Sequence, residues 1–359
     1  MIETRPIIAI INNNALKNNL KTIKNIAHKS KIWAVIKANA YGHGIKNVFK
    51  SLEKSDGFAV LTLDEAILLR ENYCKKPILL LEGFFNKQDL RLIYKYYLTI
   101  VIHNKWQLDI LIKNPPQYPI EVYIKINTGL NRLGFKNENI INIINIIKKN
   151  IKISNVTLMT HFINASKNSN LVLKQLLYMK KIIHNYTFFR SFANSAAILW
   201  HPQTHYDWVR PGIILYGASP TGNWRDISKK KIKPVMTLKS RIISIQKIYP
   251  GEIVGYNCEY YTYKKRKIGI VACGYADGYP KNISNNTPVL VEGIRTTILG
   301  NIFMDMLIVD LCKIPSAKVG SQVELWGNNI KIDEIAKSAN TISYELMCSL
   351  SKRVPRIIK

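Results

Sequence analysis

A lysine that closes an apolar run invites the first chemical reading of this sequence. Residues 34–44 are AVIKANAYGHG, and Lys37 ends KIWAVIK (31–37), a stretch apolar enough for an interior strand. Burial lowers the pKa of an amine and favours its neutral form, which is both a nucleophile and a base. Further along, Lys125 stands near the end of EVYIKIN (121–127), Arg132 follows in KINTGLNRLGF, and His161 lies at the end of NVTLMTHF (155–162). Asn194 and Ser195 end FFRSFANS (188–195), and Arg210 ends HYDWVR (205–210). Singly, each reads as well as a solvated strand end, because lysines snorkel and polar groups collect where strands meet water. The same placement on five strands points instead to one shared site. VRPGIILYG (209–217) then supplies two successive main-chain amides, at Gly212 and Ile213, after the last of these strands. Glycine lets an anion approach the backbone closely, and barrels bind phosphate at that position.

The elements that must position these residues alternate. From residue 31 to 210, eight short apolar runs (31–37, 57–62, 77–82, 98–103, 121–127, 155–162, 188–195 and 205–210) are separated by helix-like stretches such as 63–72, 138–149 and 171–184. Continuous rather than alternating apolarity marks strands buried on both faces of a parallel sheet. Asp64 and Glu65 sit where a helix dipole favours acids. Eight such units predict an α/β fold with an N-terminal (β/α)8 TIM-like barrel, a doubly wound open sheet being the structural alternative. After TGNWRDISKKK (221–231) the texture changes to strand-like segments broken by Gly, Pro and Asn, with only IDEIAKSAN (332–340) helical. The expected division is a barrel over 1–230 and a smaller, mainly β domain over 231–359, to which RPIIAII (5–11) adds a strand.

Composition excludes several classes. The 359 residues are 47% hydrophobic and 21% charged, the balance of a globular protein. No apolar run reaches the ~18 residues a membrane helix needs, and MIETRPIIAI does not read as a signal peptide. The five cysteines (Cys74, Cys258, Cys273, Cys312, Cys348) are scattered, fitting neither a zinc site nor a disulfide framework, so no metal and a cytoplasmic location are expected. A net charge of +29 is the footprint a nucleic-acid binder would leave. Here the basic residues are dispersed, clustering only at 229–231 and 264–267, and Lys, Asn, Ile and Tyr are abundant together. That pattern is compositional drift, and no nucleic-acid partner is expected.

A strand-end amine facing a phosphate cradle suits pyridoxal 5'-phosphate (PLP), and at this point the sequence closely resembles the alanine racemases, nearly end to end. The motifs that carry the resemblance are AVIKANAYGHG, KINTGLNRLGF (125–135), THF (160–162), ANSAA (193–197), RPGI (210–213), GY (255–256), GYADGYP (274–280), MD (304–305) and YELMCSLSKRVPR (344–356). The resemblance implies that Lys37 holds PLP covalently and serves as the base toward D-alanine, with Tyr256 the base toward L-alanine. An ordinary phenol titrates near ~10, so Tyr256 needs help, which the family provides through a hydrogen-bonded line to His161 and Arg210. Arg210 would donate to the pyridine nitrogen and leave it uncharged, unlike the carboxylate of a decarboxylase-like site. Tyr41, Ser195, Gly212 and Ile213 would hold the phosphate. Arg132 and the amide of Met304 would bind the substrate carboxylate. Lys125 matches a lysine carbamylated in many members, Asn194 accompanies Ser195, and Tyr256, Tyr275, Met304 and Asp305 would reach the partner's site in a head-to-tail homodimer.

Three positions depart from the pattern. Lys352 stands where some relatives have a phosphate-binding tyrosine, and Ser166 and Asn301 replace an acid and an arginine that often line the substrate entrance. The last two imply a looser gate. The expected function is therefore PLP-dependent alanine racemisation supplying D-alanine for peptidoglycan. The alternatives are a broad-specificity amino-acid racemase and a non-catalytic PLP-binding protein, the latter disfavoured by the β domain that carries Tyr256.

Overall fold

The computed structural model describes residues 5–136, 140–183, 187–256 and 260–359. Glu138, Asn139, His184 and Cys258, named above, lie outside the described residues. Packing divides the chain into two compact units, one of residues Leu20–Ala40 and Val48–Leu215, the other of Met1–Asn19, Tyr41–Asn47 and Tyr216–Lys359.

Strand β1 (Ile8–Ile11) belongs to the second unit. The first is built on β2 (Lys31–Val35), β3 (Gly57–Val60), β4 (Ile78–Leu80), β5 (Thr99–Ile102), β6 (Ile120–Lys125), β7 (Ile153–Met159), β8 (Phe189–Ser191) and β9 (Trp208–Val209). They pair in parallel in the order β8-β7-β6-β5-β4-β3-β2-β9. A bridge between Asn194 and Arg210, with Arg210 N donating to Ala193 O at 2.9 Å, brings the two ends together. The result is the expected barrel rather than an open sheet. Every residue of β3, β4 and β5 is buried, as strands covered on both faces require. Within the barrel, Trp33 Nε1 donates to the Tyr123 hydroxyl at 2.8 Å and its ring stacks on Trp208 at 4.3 Å. Gly57 makes room for that indole, since a Cβ there would lie 2.3 Å from the ring.

Several strands are shorter than the apolar runs suggest. β2 ends at Val35, β7 at Met159 and β8 at Ser191, so Lys37, His161, Asn194 and Ser195 lie in the turns just beyond. The chain leaves the ladder there to build caps and turns, which hydropathy does not register.

In the second unit, β10 (Met236–Ile248), β11 (Arg266–Val271), β12 (Pro288–Val291), β13 (Ile294–Leu299), β14 (Leu307–Asp310) and β15 (Gln322–Trp326) pair antiparallel in a ring, β10-β15-β12-β13-β14-β11 and back to β10. Closure leaves this ring no open edge. The ring closes because β10 is long and shifts register between Ile242 and Ser244, its first half serving β15 and its second half β11. β1 pairs antiparallel with β10, and β16 (Arg356–Ile358) runs parallel to β1. The unit's continuous stretch starts at Tyr216, not 231. It also holds a second helix, Ser343–Ser349, beyond the single one expected. That helix is two turns long, too short for an apolar repeat to show. Ser343 anchors it by donating to the buried Asp333 Oδ1 at 2.8 Å. Among the described residues no helix is long and apolar enough to cross a membrane, and no group of metal-ligating side chains occurs.

Candidate active site

At the C-terminal ends of the barrel strands, β2 runs into a turn of unusual hand. Ala38, Asn39 and Ala40 have φ of 53°, 51° and 55°, ψ near the same values, and Tyr41 continues at φ 51°. Left-handed geometry costs an L-residue roughly 1–2 kcal/mol, so the turn needs external support. Ala40 N donates to Ile36 O at 2.8 Å and Asn39 N to Glu65 Oε1 at 3.0 Å. Glu65 has a second task. Its Oε2 accepts from Leu61 N at 3.0 Å and from Thr62 N, closing a capping box on the helix Leu63–Glu71. The carboxylate expected merely to suit a helix dipole therefore also pins the turn that follows Lys37.

Lys37 shares this end of the barrel with Lys125, Arg132, His161 and Arg210. Lys125 is buried at the tip of β6, and its ammonium pKa is pushed down to about 8. Burial is the main cause, followed by Arg210, Arg132 and Lys37, with Glu82 opposing. His161 is driven down to about 3, again by burial and then by Arg210, Arg132, Lys125 and Lys37, so it is neutral near pH 7. Arg132 is exposed on a loop held by Asn127, whose Oδ1 accepts from Gly129 N at 3.0 Å and Asn131 N at 3.1 Å. The loop closes where Phe135 N donates to Lys125 O at 2.9 Å.

Arg210 is buried, with its pKa lowered to about 10 by desolvation. Its Nη1 donates to Ser191 O and, at 2.8 Å, to Ser191 Oγ; Nη2 donates to Thr160 O at 2.7 Å and Phe192 O at 3.3 Å. A guanidinium has five N–H donors. Nε is the one left without a partner among the described residues, and the expected bond from Arg210 to His161 is not among those it makes. Arg210 acts on His161 through charge.

The anion donors stand beside it. Asn194 caps the helix Ser195–Trp200, its Oδ1 accepting from Ala197 N at 3.0 Å. Ser195 is buried in the first turn, and its Oγ accepts from Gly212 N at 2.9 Å, leaving the hydroxyl proton to donate elsewhere. Ile213 opens a short 3-10 turn, where N–H groups lack intrahelical partners. The fit to PLP is good on these observations: an excess of cations, a buried arginine whose Nη atoms are engaged while Nε is not, and clustered neutral donors for a phosphate.

In the other unit, Tyr41 is buried, stacked on Tyr216 at 4.7 Å and tilted toward Tyr344 at 6.0 Å. Burial, and then Tyr344, holds its phenol well above the usual range, so it stays a donor. Tyr256 is 72% exposed and packs on Phe303 at 5.3 Å. Met304 is 55% and Tyr275 38% exposed. Phe303 joins all three. Its carbonyl accepts from Tyr275 N at 3.0 Å, and Ala276 N donates to Met304 O at 3.0 Å. Gly274 permits this approach, since a Cβ there would lie 2.3 Å from the carbonyl oxygens of Phe303 and Met304. Sequence reasoning missed Phe303, which carries no polar signal, and the carbonyls of residues 160, 191 and 192. Lys352, where some relatives have a phosphate-binding tyrosine, is exposed.

A cavity of about 770 Å3 lined by Lys149, Lys152, Phe188 and Asp207 lies at the N-terminal ends of β7 and β8. That is the barrel face opposite the one where such folds do their chemistry.

Comparison with known proteins gives the same reading. Residues 11–220 match the family model described as alanine racemase, N-terminal domain, and residues 235–358 the one described as alanine racemase, C-terminal domain. The catabolic alanine racemase of Klebsiella aerogenes is 49% identical over 352 residues, 98% of this chain and 99% of its own. The biosynthetic alanine racemase of Pseudomonas aeruginosa superposes with a TM-score of 0.95 at 37% identity, covering 99% of this chain and all of that one. That of Bartonella henselae, solved with covalently bound pyridoxal phosphate, does so at 0.89 and 28%, covering 99% of each. With its barrel, its strand-end cations and both family domains in place, the chain belongs to the alanine racemase family.

Proposed function

We propose that this enzyme interconverts L- and D-alanine with PLP by a two-base mechanism in a homodimer, and that it supplies D-alanine for peptidoglycan in the cytoplasm. The observation that carries the reading is the buried Arg210, with four of its five donors engaged by carbonyls and a hydroxyl and Nε left for an acceptor.

When bound, PLP supplies the electron sink that acidifies the α-carbon of an amino acid. Lys37 would hold it covalently and would carry a proton to or from the substrate α-carbon on one face. The phenol of Tyr256 from a second copy does so on the other face. Neutral His161 accepts a hydrogen bond from that phenol, and burial, with the surrounding cations, keeps the imidazole from protonating. Arg210, whose Nη atoms are engaged by the protein, would donate through Nε to the pyridine nitrogen. Being cationic, it disfavours protonation there, moderating the sink and discouraging side reactions. Ser195 Oγ and the Ile213 amide would donate to the phosphate, the Gly212 amide, expected there too, being engaged instead in holding Ser195 Oγ, and Tyr41 would keep the same role as a protonated phenol. Arg132 and the Met304 amide bind the substrate carboxylate. Lys125, with a pKa of about 8, has enough neutral amine to take up carbon dioxide, and the resulting anion would orient Arg132 where an ammonium would repel it.

Racemisation of L- and D-alanine followed by circular dichroism tests this. The expected result is equal end points from both isomers in the wild type, with Lys37→Ala losing the visible cofactor band and turnover together. Turnover by Lys37→Ala would overturn the assignment. Serine and lysine assayed in parallel test the looser gate implied by Ser166 and Asn301, which strict alanine preference would refute. Growth of a D-alanine auxotroph on this gene alone tests the biosynthetic role, and failure to grow would refute it.

A further inference from the structure

The two turns that present Tyr275 and Met304 are cross-braced by charges that the reaction itself does not use. Asp277 is fully buried, three residues after the Gly274 amide that donates to its Oδ2 at 2.9 Å. Two arginines meet it. Arg5 Nη2 lies 3.2 Å from Oδ2, and Arg353 Nε lies 2.7 Å from Oδ1. Both arginines also reach the other turn. Arg353 Nη2 is 2.7 Å from Asp305 Oδ1, and Arg5 Nη2 donates to Asp305 O. The main chain adds Ser351 N to Asp277 O at 3.0 Å, tying in the segment that carries Arg353. A surface turn needs none of this. Burying a carboxylate is costly unless it is paired, and here it is paired twice.

We propose that Asp277 and Arg353 are positioning residues that hold the 274–278 and 303–306 turns in one geometry, so that the Met304 amide and Tyr275 meet a substrate bound in a second copy of the chain. This rests on the shared-site reading given above. Arg353 is suited to the task because one planar guanidinium spans two carboxylates on different turns, which a lysine does not. The brace acts on binding groups, so its loss removes interactions made equally in ground and transition states. That raises KM more than it lowers kcat.

The test uses the holoenzyme. Asp277→Asn and Arg353→Gln are each expected to raise KM for alanine about tenfold or more, with a smaller change in kcat and an unchanged visible cofactor band. Arg353→Gln, at a side chain 40% exposed, carries the test if Asp277→Asn does not fold. Each variant is then co-expressed with Lys37→Ala. A mixed dimer holds one site with an intact Lys37 from one chain and intact turns from the other. Activity at alanine well below the raised KM should therefore return. Co-expressed Lys37→Ala and Tyr256→Phe form the control. Recovery in the control without recovery of low KM for the brace variants overturns the inference and leaves the shared site standing. No recovery in the control overturns both. An unchanged KM in both single variants overturns the inference alone.

Discussion

The chemistry of single residues in the barrel is set first by burial and then by how few anions accompany the cations. Burial is the main cause that keeps His161 neutral, and Arg210, Arg132, Lys125 and Lys37 add to it. The consequence for pH follows from linkage. The unfolded chain protonates this imidazole as pH falls through about 6.5, whereas the folded one holds it neutral to about 3. Between those values the unfolded state binds the extra proton, so this contribution to stability is intact above 6.5 and is lost progressively as pH falls toward 3. Urea unfolding of the cofactor-free protein from pH 7.5 to 4 measures it. Any stability advantage of the wild type over His161→Asn should shrink below pH 6.5, and a difference independent of pH would refute the assignment. Lys125, His161 and Arg210 were legible in the sequence because charged groups next to apolar runs stand out. The carbonyls of Thr160, Ser191 and Phe192 that hold Arg210 were not, since a main-chain acceptor leaves no mark on residue type.

Among the elements, the left-handed turn after β2 diverges most from what its sequence suggests. Of Ala38, Asn39, Ala40 and Tyr41, only asparagine favours positive φ, so residue type marks a turn after Lys37 but not its left-handed run. Ala38 is exposed, with φ 53°, which lets its backbone preference be tested without disturbing packing. Ala38→Gly removes the Cβ clash at some entropic cost in the unfolded chain and should be neutral or stabilising by up to ~1 kcal/mol. Ala38→Val puts a β-branched side chain where it does not belong and should lose ~1–3 kcal/mol. Urea midpoints of the two variants decide it, and equal values would mean the turn is not left-handed in solution. The same logic separates what was readable from what was not elsewhere. Barrel strands announce themselves because burial on both faces demands unbroken apolar runs. The helix Ser343–Ser349 and strand β16 are fixed by partners distant in sequence, Asp333 for one and β1 for the other, which a local reading does not see.

For the whole molecule, the large side chains left uncovered and the net charge make opposing demands. Tyr256, Met304 and Tyr275 are all exposed on the β unit, and exposed apolar groups gathered in a patch mark a contact surface. If a second copy covers it, two chains of net charge +29 must associate, and their repulsion is long-ranged unless salt screens it. The screening length is ~8 Å at 0.15 M and ~30 Å at 0.01 M. Salt should therefore strengthen the dimer, the reverse of its effect on nucleic-acid binding, where release of counterions makes affinity fall as salt rises. Specific activity measured while the enzyme is diluted at low and at moderate salt, beside sedimentation under the same conditions, separates these cases. Activity per chain should fall on dilution as monomer appears, and fall at higher protein concentration when salt is low. The cofactor band should stay constant throughout, because on the proposed reading Lys37 and the phosphate donors come from one chain. Full activity from a chain that sediments as monomer would mean that Tyr256 is not lent between copies, and the second base would then have to come from within the barrel.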